Sequence, residues 1–535
     1  MLRWKPPWKL LTIPRSSYWS YSVLSTSRCL SAKSSSGSCI GCGKVLQTSD
    51  NTQSGFIPAS VSSTFNNGWK RTVSAPTGML VPSSPEGVEV NRVGEDAFRI
   101  KATKPYCQRC FKIQQYRTDI RFGFSPDHQP WITGWSATDV CDGINENCIV
   151  VNVIDVTDFE SSLVPELIDV LARRRIPVIH VLNKMDCLPV RTKDWASVVS
   201  WACRLSRILL SSTGIDGKLN VIPISSKSEF NLDLLEKRVG MYLSERDSKD
   251  IHIVGRQNSG KSTLANRFLH FIRYKHLGRV HYKRAVGGIT RSPLPGTTVD
   301  KIRVHLGDDI CLLDGPGIEA ENHISKYFSS SEDYRGMYTG QRYQPLSHVL
   351  KEGKCLIIGA MCRLEVASGS SAVITCFTSP QATVHICNAN SAIELLERKA
   401  GTFLYPPHSQ APNANNPDGN IHPIVNAKWV RHRVSVYCGP STSHDDISIS
   451  GVGWFAVSGQ GHKEVDVFVP EGVQVFRRPS MLPHFLQRSG ASPFNFRLRG
   501  RSISINRRKK AHIRTLRASQ DKSPTISTQE GEIPI

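Results

Sequence analysis

Gly255-Arg-Gln-Asn-Ser-Gly260-Lys261-Ser262-Thr263 follows the apolar run at 251–254 and leads into Leu264 and Phe268. The order is strand, glycine-rich loop, helix, and the loop has the spacing G-x-x-x-x-G-K-S/T. Each residue type has a physical task there. Gly255 and Gly260 let the chain through Asn258 and Ser259 to Thr263 wrap phosphates with backbone N–H groups at a helix N-terminus. Lys261 neutralises β- and γ-phosphates, and the Ser262 hydroxyl is a ligand for Mg²⁺. A second glycine run, Gly451-Val-Gly453-Trp-Phe-Ala456, stands outside any βαβ unit and reads as a turn between strands.

Upstream of the loop, 148–156 and 177–182 read as buried parallel strands, with Val164, Leu167, Ile168 and Leu171 as a helical stripe between them. Trp195, Val198, Val199, Ala202 and Leu209 predict another helix, 219–224 a strand and 232–243 a helix. Further chemistry falls at the predicted strand ends. Asp314-Gly-Pro-Gly317 follows the apolar run 310–313 and puts a carboxylate where it can hold the hydration shell of Mg²⁺. Asn183-Lys184-Met185-Asp186 offers a carboxylate for the two donors on the N1 and N2 edge of guanine, which adenine lacks. Ser225-Ser226-Lys227 would back the same base. Pro295-Gly296-Thr297-Thr298 lies where a switch threonine, Thr298 or its neighbour Thr297, closes on Mg²⁺ and the γ-phosphate. Singly these tetrapeptides are weak; together they indicate GTP and GDP as ligands. The base-reading motifs precede the phosphate loop, so the domain reads as circularly permuted, and the segment after Asp314 leads directly into the C-terminal region.

Cys39-Ile-Gly-Cys42 and Cys107-Gln-Arg-Cys110 are two C-x-x-C knuckles, separated by 64 residues rich in Ser, Asn, Pro and Gly. Four thiolates suit a closed, tetrahedral, structural Zn²⁺ site, with Gly43 supplying the turn behind the first pair. Two unrelated pairs are the alternative, because the loop exceeds usual zinc-ribbon spacing.

The whole chain sets the frame. Its 535 residues suit three or four folded units, and a net charge of +22 points to polyanionic partners. No apolar run is long enough to span a bilayer as a helix. An odd count of 15 cysteines, without a secretory signal, argues for a reducing compartment. No acid precedes Asp50, while Arg3, Lys5, Lys9, Arg15, Arg28 and Lys33 lie among Ser, Trp, Tyr and Leu, the composition of an organelle transit peptide. A mitochondrion fits slightly better than a plastid, and a basic disordered tail is the plainer reading. From 349 to 475 short strand-like runs such as 371–377 and 465–469 alternate with turns, with a helix at 391–399, which predicts an α+β domain. Nine Lys or Arg and no acid between Arg497 and Arg517 fit phosphate-backbone contact or a solvated tail.

These motifs, with Asp155-Val-Thr-Asp158-Phe, Gly401-Thr-Phe-Leu-Tyr-Pro-Pro407 and Asp446-Ile-Ser-Ile-Ser-Gly451-Val-Gly-Trp-Phe455, resemble the YqeH-type circularly permuted GTPases over about residues 39 to 480. That family includes organelle members once called nitric-oxide-associated proteins. Ser226 departs from the Ala common in GTPases, and the loop between knuckles is longer than expected. The resemblance implies a multidomain α/β protein: a transit peptide (1–36), a four-cysteine zinc finger (37–120), a permuted GTPase domain (135–330), a C-terminal α+β RNA-binding domain (345–490) and a basic tail (491–535). It implies ribosomal RNA and the small ribosomal subunit of an organelle as partners. A nonhydrolysing RNA scaffold with a vestigial nucleotide site, and a redox or nitric-oxide-forming enzyme, are the rival readings; intact Lys261, Ser262, Asp314 and Asp186 disfavour the first and the lack of a haem or flavin motif the second. Ile318 follows Gly317 where many GTPases carry a water-orienting Gln, so intrinsic hydrolysis is expected to be slow. Asn258 resembles the potassium-binding Asn of GTPases with that hydrophobic replacement, which makes K⁺ a candidate cofactor; bracing the loop is its plainer role.

Overall fold

The run Cys148–Asp155 is apolar except at Asn152 and its final Asp155, and every residue in it is buried. A strand covered on both faces needs such a run, and this is the central strand β1 of a parallel sheet. The computed structural model describes residues 37–51, 53–58, 106–116, 135–211, 214, 219–245, 250–282, 289–290, 297–307, 310–328, 331–338, 340–367, 371–408 and 424–488. The transit-peptide segment, most of the loop between the knuckles, Pro295 with Gly296, and the basic tail lie outside the described residues.

The chain divides into two compact units, residues 1–186 with 202–320, and residues 187–201 with 321–535. In the first, β1 joins β2 (Val178–Asn183), β3 (Val221–Pro223), β4 (Asp250–Val254), β5 (Ile302–Gly307) and β6 (Ile310–Asp314) in the order β3-β2-β1-β4-β6-β5. All pair in parallel except β5, an antiparallel edge strand on β6 with a register shift between His305 and Gly307. Alternation along β1 feeds two cores. Ile149, Val151 and Val153 pack with Leu235 and Val239 of helix Leu232–Glu245 and with Leu264 and Phe268 of helix Lys261–Tyr282. Cys148 and Val150 pack on the other face with Leu167 and Leu171 of helix Pro165–Arg173. Strand order reverses between β1 and β4, and such a switch point leaves a crevice at the carboxyl ends of the strands. Asp155, Asn183, Gly255 and Asp314 all fall at that end.

The second unit holds two five-stranded antiparallel sheets. One is ordered β16-β13-β14-β10-β7, from β7 (Leu346–Leu350), β10 (Ala372–Thr378), β13 (Asp445–Ile449), β14 (Gly453–Ser458) and β16 (Val475–Pro479). The other is β11-β8-β9-β15-β12, from β8 (Lys354–Ile358), β9 (Cys362–Val366), β11 (Val384–Asn388), β12 (Trp429–Cys438) and β15 (Gly461–Pro470). With helix Ala392–Lys399 this is an α+β arrangement dominated by strands. Trp454 is fully buried and stacks on Phe377 at 4.8 Å between ring centroids, and Phe485 stands edge-on to Phe377 at 5.1 Å. The glycine run at 451–453 is the turn between β13 and β14. Residues 187–201, read from sequence as part of the nucleotide domain, belong to this unit: Trp201 Nε1 donates to the Pro479 carbonyl, and Arg478 lies 4.8 Å over its ring.

Candidate nucleotide site

The loop from Gly255 to Gly260 keeps its shape through backbone that only certain residues adopt. Gly255 and Gly260 have φ of 142° and 96°. A Cβ on Gly255 would stand 2.5 Å from the Val153 carbonyl oxygen, and one on Gly260 would stand 2.4 Å from Asn183 Nδ2. Asn258 has φ 59°, the left-handed region that Asn tolerates better than most residues. Behind the loop, Gln257 N–H donates to the Ile318 carbonyl (2.9 Å), and Ile318 N–H donates to the Gly255 carbonyl (3.1 Å). The chain after Asp314 is thereby tied to the phosphate loop. Arg256 adds a tether through Nε to the Ser161 carbonyl at 2.9 Å and through its guanidinium to the Glu319 carbonyl.

Three oxygen side chains from distant parts of the sequence converge at the helix start. Ser262 Oγ donates to Asp314 Oδ2 at 2.7 Å and stands 3.1 Å from Thr298 Oγ1, which lies 3.4 Å from the same carboxylate oxygen. Thr298 turns its hydroxyl into this set, while the Thr297 carbonyl is turned away and accepts from Arg109. Asp314 is fully buried, and its Oδ1 has no hydrogen-bond partner among the described residues. Burial pushes its carboxyl up to about 6. Lys261, also buried, is pushed down to about 8 by burial, and its Nζ donates to the Arg256 carbonyl at 2.7 Å. A buried acid with one unsatisfied oxygen, beside two hydroxyls and a buried ammonium, is the donor set that suits Mg²⁺ and phosphate.

The base end is built separately. Asn183 Nδ2 donates to the Ser259 carbonyl at 2.9 Å, and its Oδ1 accepts from Ser226 N–H at 3.2 Å and Ser226 Oγ at 2.9 Å. One side chain thus joins the base-side loops to the phosphate loop. Asp186 is half-buried, and Ser225 Oγ donates to its Oδ1 at 2.7 Å. Lys184, at φ 64°, reaches Asp155 Oδ2 with its Nζ at 2.5 Å. Lys227 is exposed, Gly317 lies in the turn after β6, and Thr263 is half-buried in the first turn of the helix that follows the phosphate loop. Asp155, Arg256 and Arg109 escaped sequence reasoning as site residues: their work is to hold other site residues, and no local spacing marks that.

Cys39, Cys42, Cys107 and Cys110 are buried with their Sγ atoms all within 4.8 Å of one another. Tetrahedral zinc with S–Zn bonds of about 2.3 Å sets its sulfurs about 3.8 Å apart, and Cys42 and Cys107 Sγ stand 3.8 Å apart. Gly41 N–H and Cys107 N–H donate to Cys39 Sγ at 3.3 and 3.2 Å, as befits a thiolate. The donor set fits Zn²⁺, whose tetrahedral coordination four thiolates complete.

A site with a phosphate loop at one end and, at the other, a carboxylate placed for a donor pair that adenine lacks belongs to the P-loop GTPases. Sequence comparison carries this further. A profile described as "YqeH-like, C-terminal" matches residues 371–481, and one described as "50S ribosome-binding GTPase" matches residues 250–351. The chain is 25% identical over 449 residues to the protein YqeH of Bacillus subtilis, covering 83% of this chain and 99% of the relative. It is 24% identical over 368 residues to the chloroplastic GTP-binding protein Brassinazole Insensitive Pale Green 2 of Arabidopsis thaliana, covering 64% of this chain and 51% of the relative. It is 22% identical over 373 residues to the chloroplastic/mitochondrial NO-associated protein 1 of the same plant, covering 63% and 62%. These similarities support the YqeH-type GTPase family for this chain, and its GTPase domain implies GTP, GDP and Mg²⁺ as ligands. Among the described residues no helix is long and apolar enough to cross a membrane.

Proposed function

We propose that this chain is a circularly permuted GTP-hydrolysing switch that binds ribosomal RNA and assists small ribosomal subunit assembly in an organelle, the mitochondrion ahead of the plastid. The observation that carries the switch is the meeting of Ser262, Thr298 and Asp314, whose hydroxyls and carboxylate lie within 3.4 Å. A nonhydrolysing scaffold has no use for that convergence. Lys261 holds the β- and γ-phosphates, the loop amides from Asn258 to Thr263 wrap them, and Asn183 fixes the loop against the base side. Magnesium, when bound, neutralises phosphate charge and fixes phosphate oxygens. Ser262 and Thr298 offer it hydroxyls, and Asp314 orients its hydration shell. Asp186, oriented by Ser225, reads guanine, with Ser226 and Lys227 lining the same base. The buried Ile318 cannot orient an attacking water with its side chain, so hydrolysis is slow until other groups assist.

The motif order along the chain, with the Asn183 and Ser225 loops ahead of the phosphate loop, supports the permuted reading. Support for the ribosomal role comes from the matched GTPase profile, whose description names the 50S, large subunit; the choice of small subunit rests on the YqeH resemblance alone. Organelle placement draws on the plant relatives named chloroplastic or mitochondrial and on the acid-free first 49 residues. The boundaries 37–120 and 345–490 follow the same reading, as does 135–330 apart from 187–201 and 321–330, which lie in the C-terminal compact unit. Zinc on the four cysteines is structural. Cosedimentation of the purified protein with mitochondrial small and large subunits, with GDP or a nonhydrolysable GTP analogue, tests the role. Nucleotide-dependent binding to the small subunit is expected; binding to the large subunit alone, or independent of nucleotide, contradicts it.

A further inference from the structure

The four-cysteine module is in direct contact with the segment that carries Thr298. The Cys42 carbonyl accepts two N–H groups from that segment, Val299 at 3.1 Å and Asp300 at 2.9 Å. The Gly41 carbonyl accepts Thr290 N–H at 3.3 Å. From the second knuckle, buried Arg109 donates to the Thr297 carbonyl at 3.3 Å. Val299 itself packs on the cysteine cluster. The approach is close: at Gly43, which has φ 82°, a Cβ would stand 2.5 Å from the Asp300 carbonyl oxygen. Thr298 is thus held on both sides, at 297 and at 299–300, by main chain and guanidinium of the two knuckles, while its own hydroxyl faces Ser262 and Asp314.

We infer that the cysteine module positions the switch threonine, with Arg109 and the Cys42 carbonyl as positioning groups, so that metal occupancy of the knuckles and the nucleotide state are coupled. This rests on the GTPase reading above. Coordination by four thiolates fixes the fold of each knuckle, and with it the direction of the Cys42 carbonyl and the seat of Arg109. A frame that holds Thr298 inward favours the GTP-bound form, which needs that hydroxyl, over the GDP-bound form, which does not. Coupling of binding equilibria is reciprocal, so GTP must in turn tighten the metal site.

The test uses the full-length zinc-loaded protein with Mg²⁺ and either GDP or a nonhydrolysable GTP analogue, following zinc release to a chromophoric chelator alongside nucleotide affinity. The native protein should release zinc about fivefold to tenfold more slowly with the GTP analogue than with GDP. Arg109→Ala should keep its zinc and bind GDP within about twofold of native, yet bind the GTP analogue about tenfold more weakly. It should also narrow the nucleotide difference in zinc release, and Arg109→Lys should restore part of it. Equal zinc release in the two nucleotides overturns the coupling, as does an Arg109→Ala protein that loses affinity for GDP and the GTP analogue alike. If Arg109→Ala fails to fold, the native release rates still decide. A native protein that binds neither nucleotide overturns the GTPase reading itself, a result distinct from equal release in two bound states.

Discussion

Replacing Asp186 with Asn changes one atom and should change the base that the site selects. The Asp186 carboxylate has one oxygen engaged by Ser225 Oγ at 2.7 Å, which aims the group without occupying its remaining lone pairs. Two donors of guanine, N1–H and the N2 amino group, can then meet it. A hydrogen bond to a charged group contributes about 1.5–3 kcal/mol, and partial exposure reduces this, so losing the pair should cost about 2–4 kcal/mol. At about 1.4 kcal/mol per tenfold, GTP affinity should fall by about 30- to 700-fold. Xanthine has an oxygen in place of the amino group, and the new Asn amide donates to it, so XTP affinity should rise. Titration of fluorescent GDP and XDP against native and Asp186→Asn proteins gives both numbers. Ser225→Ala, which only loosens the aim of the carboxylate, should cost about fivefold, or about 1 kcal/mol. A variant that loses GDP without gaining XDP, or native protein with equal affinity for ATP and GTP, would refute the base assignment.

Cys107→Ser should lose zinc by metal analysis of reduced, freshly purified protein while GDP affinity holds; native protein without zinc contradicts the metal assignment. GTP hydrolysis should run faster in K⁺ than in Na⁺ at equal ionic strength, and Asn258→Ala should remove the difference; equal native rates exclude a potassium role. Trp454→Ala, which empties the stack on Phe377, should destabilise the C-terminal unit by about 3–5 kcal/mol in denaturant titration. Truncation after Phe496 should weaken RNA binding and flatten its salt dependence by removing cations that displace counterions; an unchanged salt slope would make that tail a solvated one.

What the sequence disclosed followed from the physics of each segment. Buried parallel strands are continuous apolar runs, so β1 and β2 were legible to within about a residue. The phosphate loop was legible because its glycines answer to steric contacts with Val153 and Asn183 that permit little else. The edge strand β5 was not, since it is covered less completely and its register breaks between His305 and Gly307. Nor could periodicity divide residues 195–201 from the nucleotide domain: a stripe of Trp and Val states that a face is buried, not against which sheet. The contacts of Cys42 with Val299 and Asp300 join main-chain atoms far apart in the chain, and backbone groups leave no trace in side-chain spacing. The convergence of Ser262, Thr298 and Asp314 is the intermediate case. Each residue was read singly, and the sheet order brings the three together.

GTP turnover by the purified full-length chain, measured with Mg²⁺ in K⁺ buffer beside ATP and beside the Asp314→Ala variant, decides whether Ser262, Thr298 and Asp314 form a working GTPase site. Hydrolysis of GTP should be slow and require Mg²⁺, hydrolysis of ATP should be slight or absent, and Asp314→Ala should lose turnover with the fold retained. Turnover of ATP at the same rate, or GTP hydrolysis that Asp314→Ala leaves untouched, would contradict that assignment.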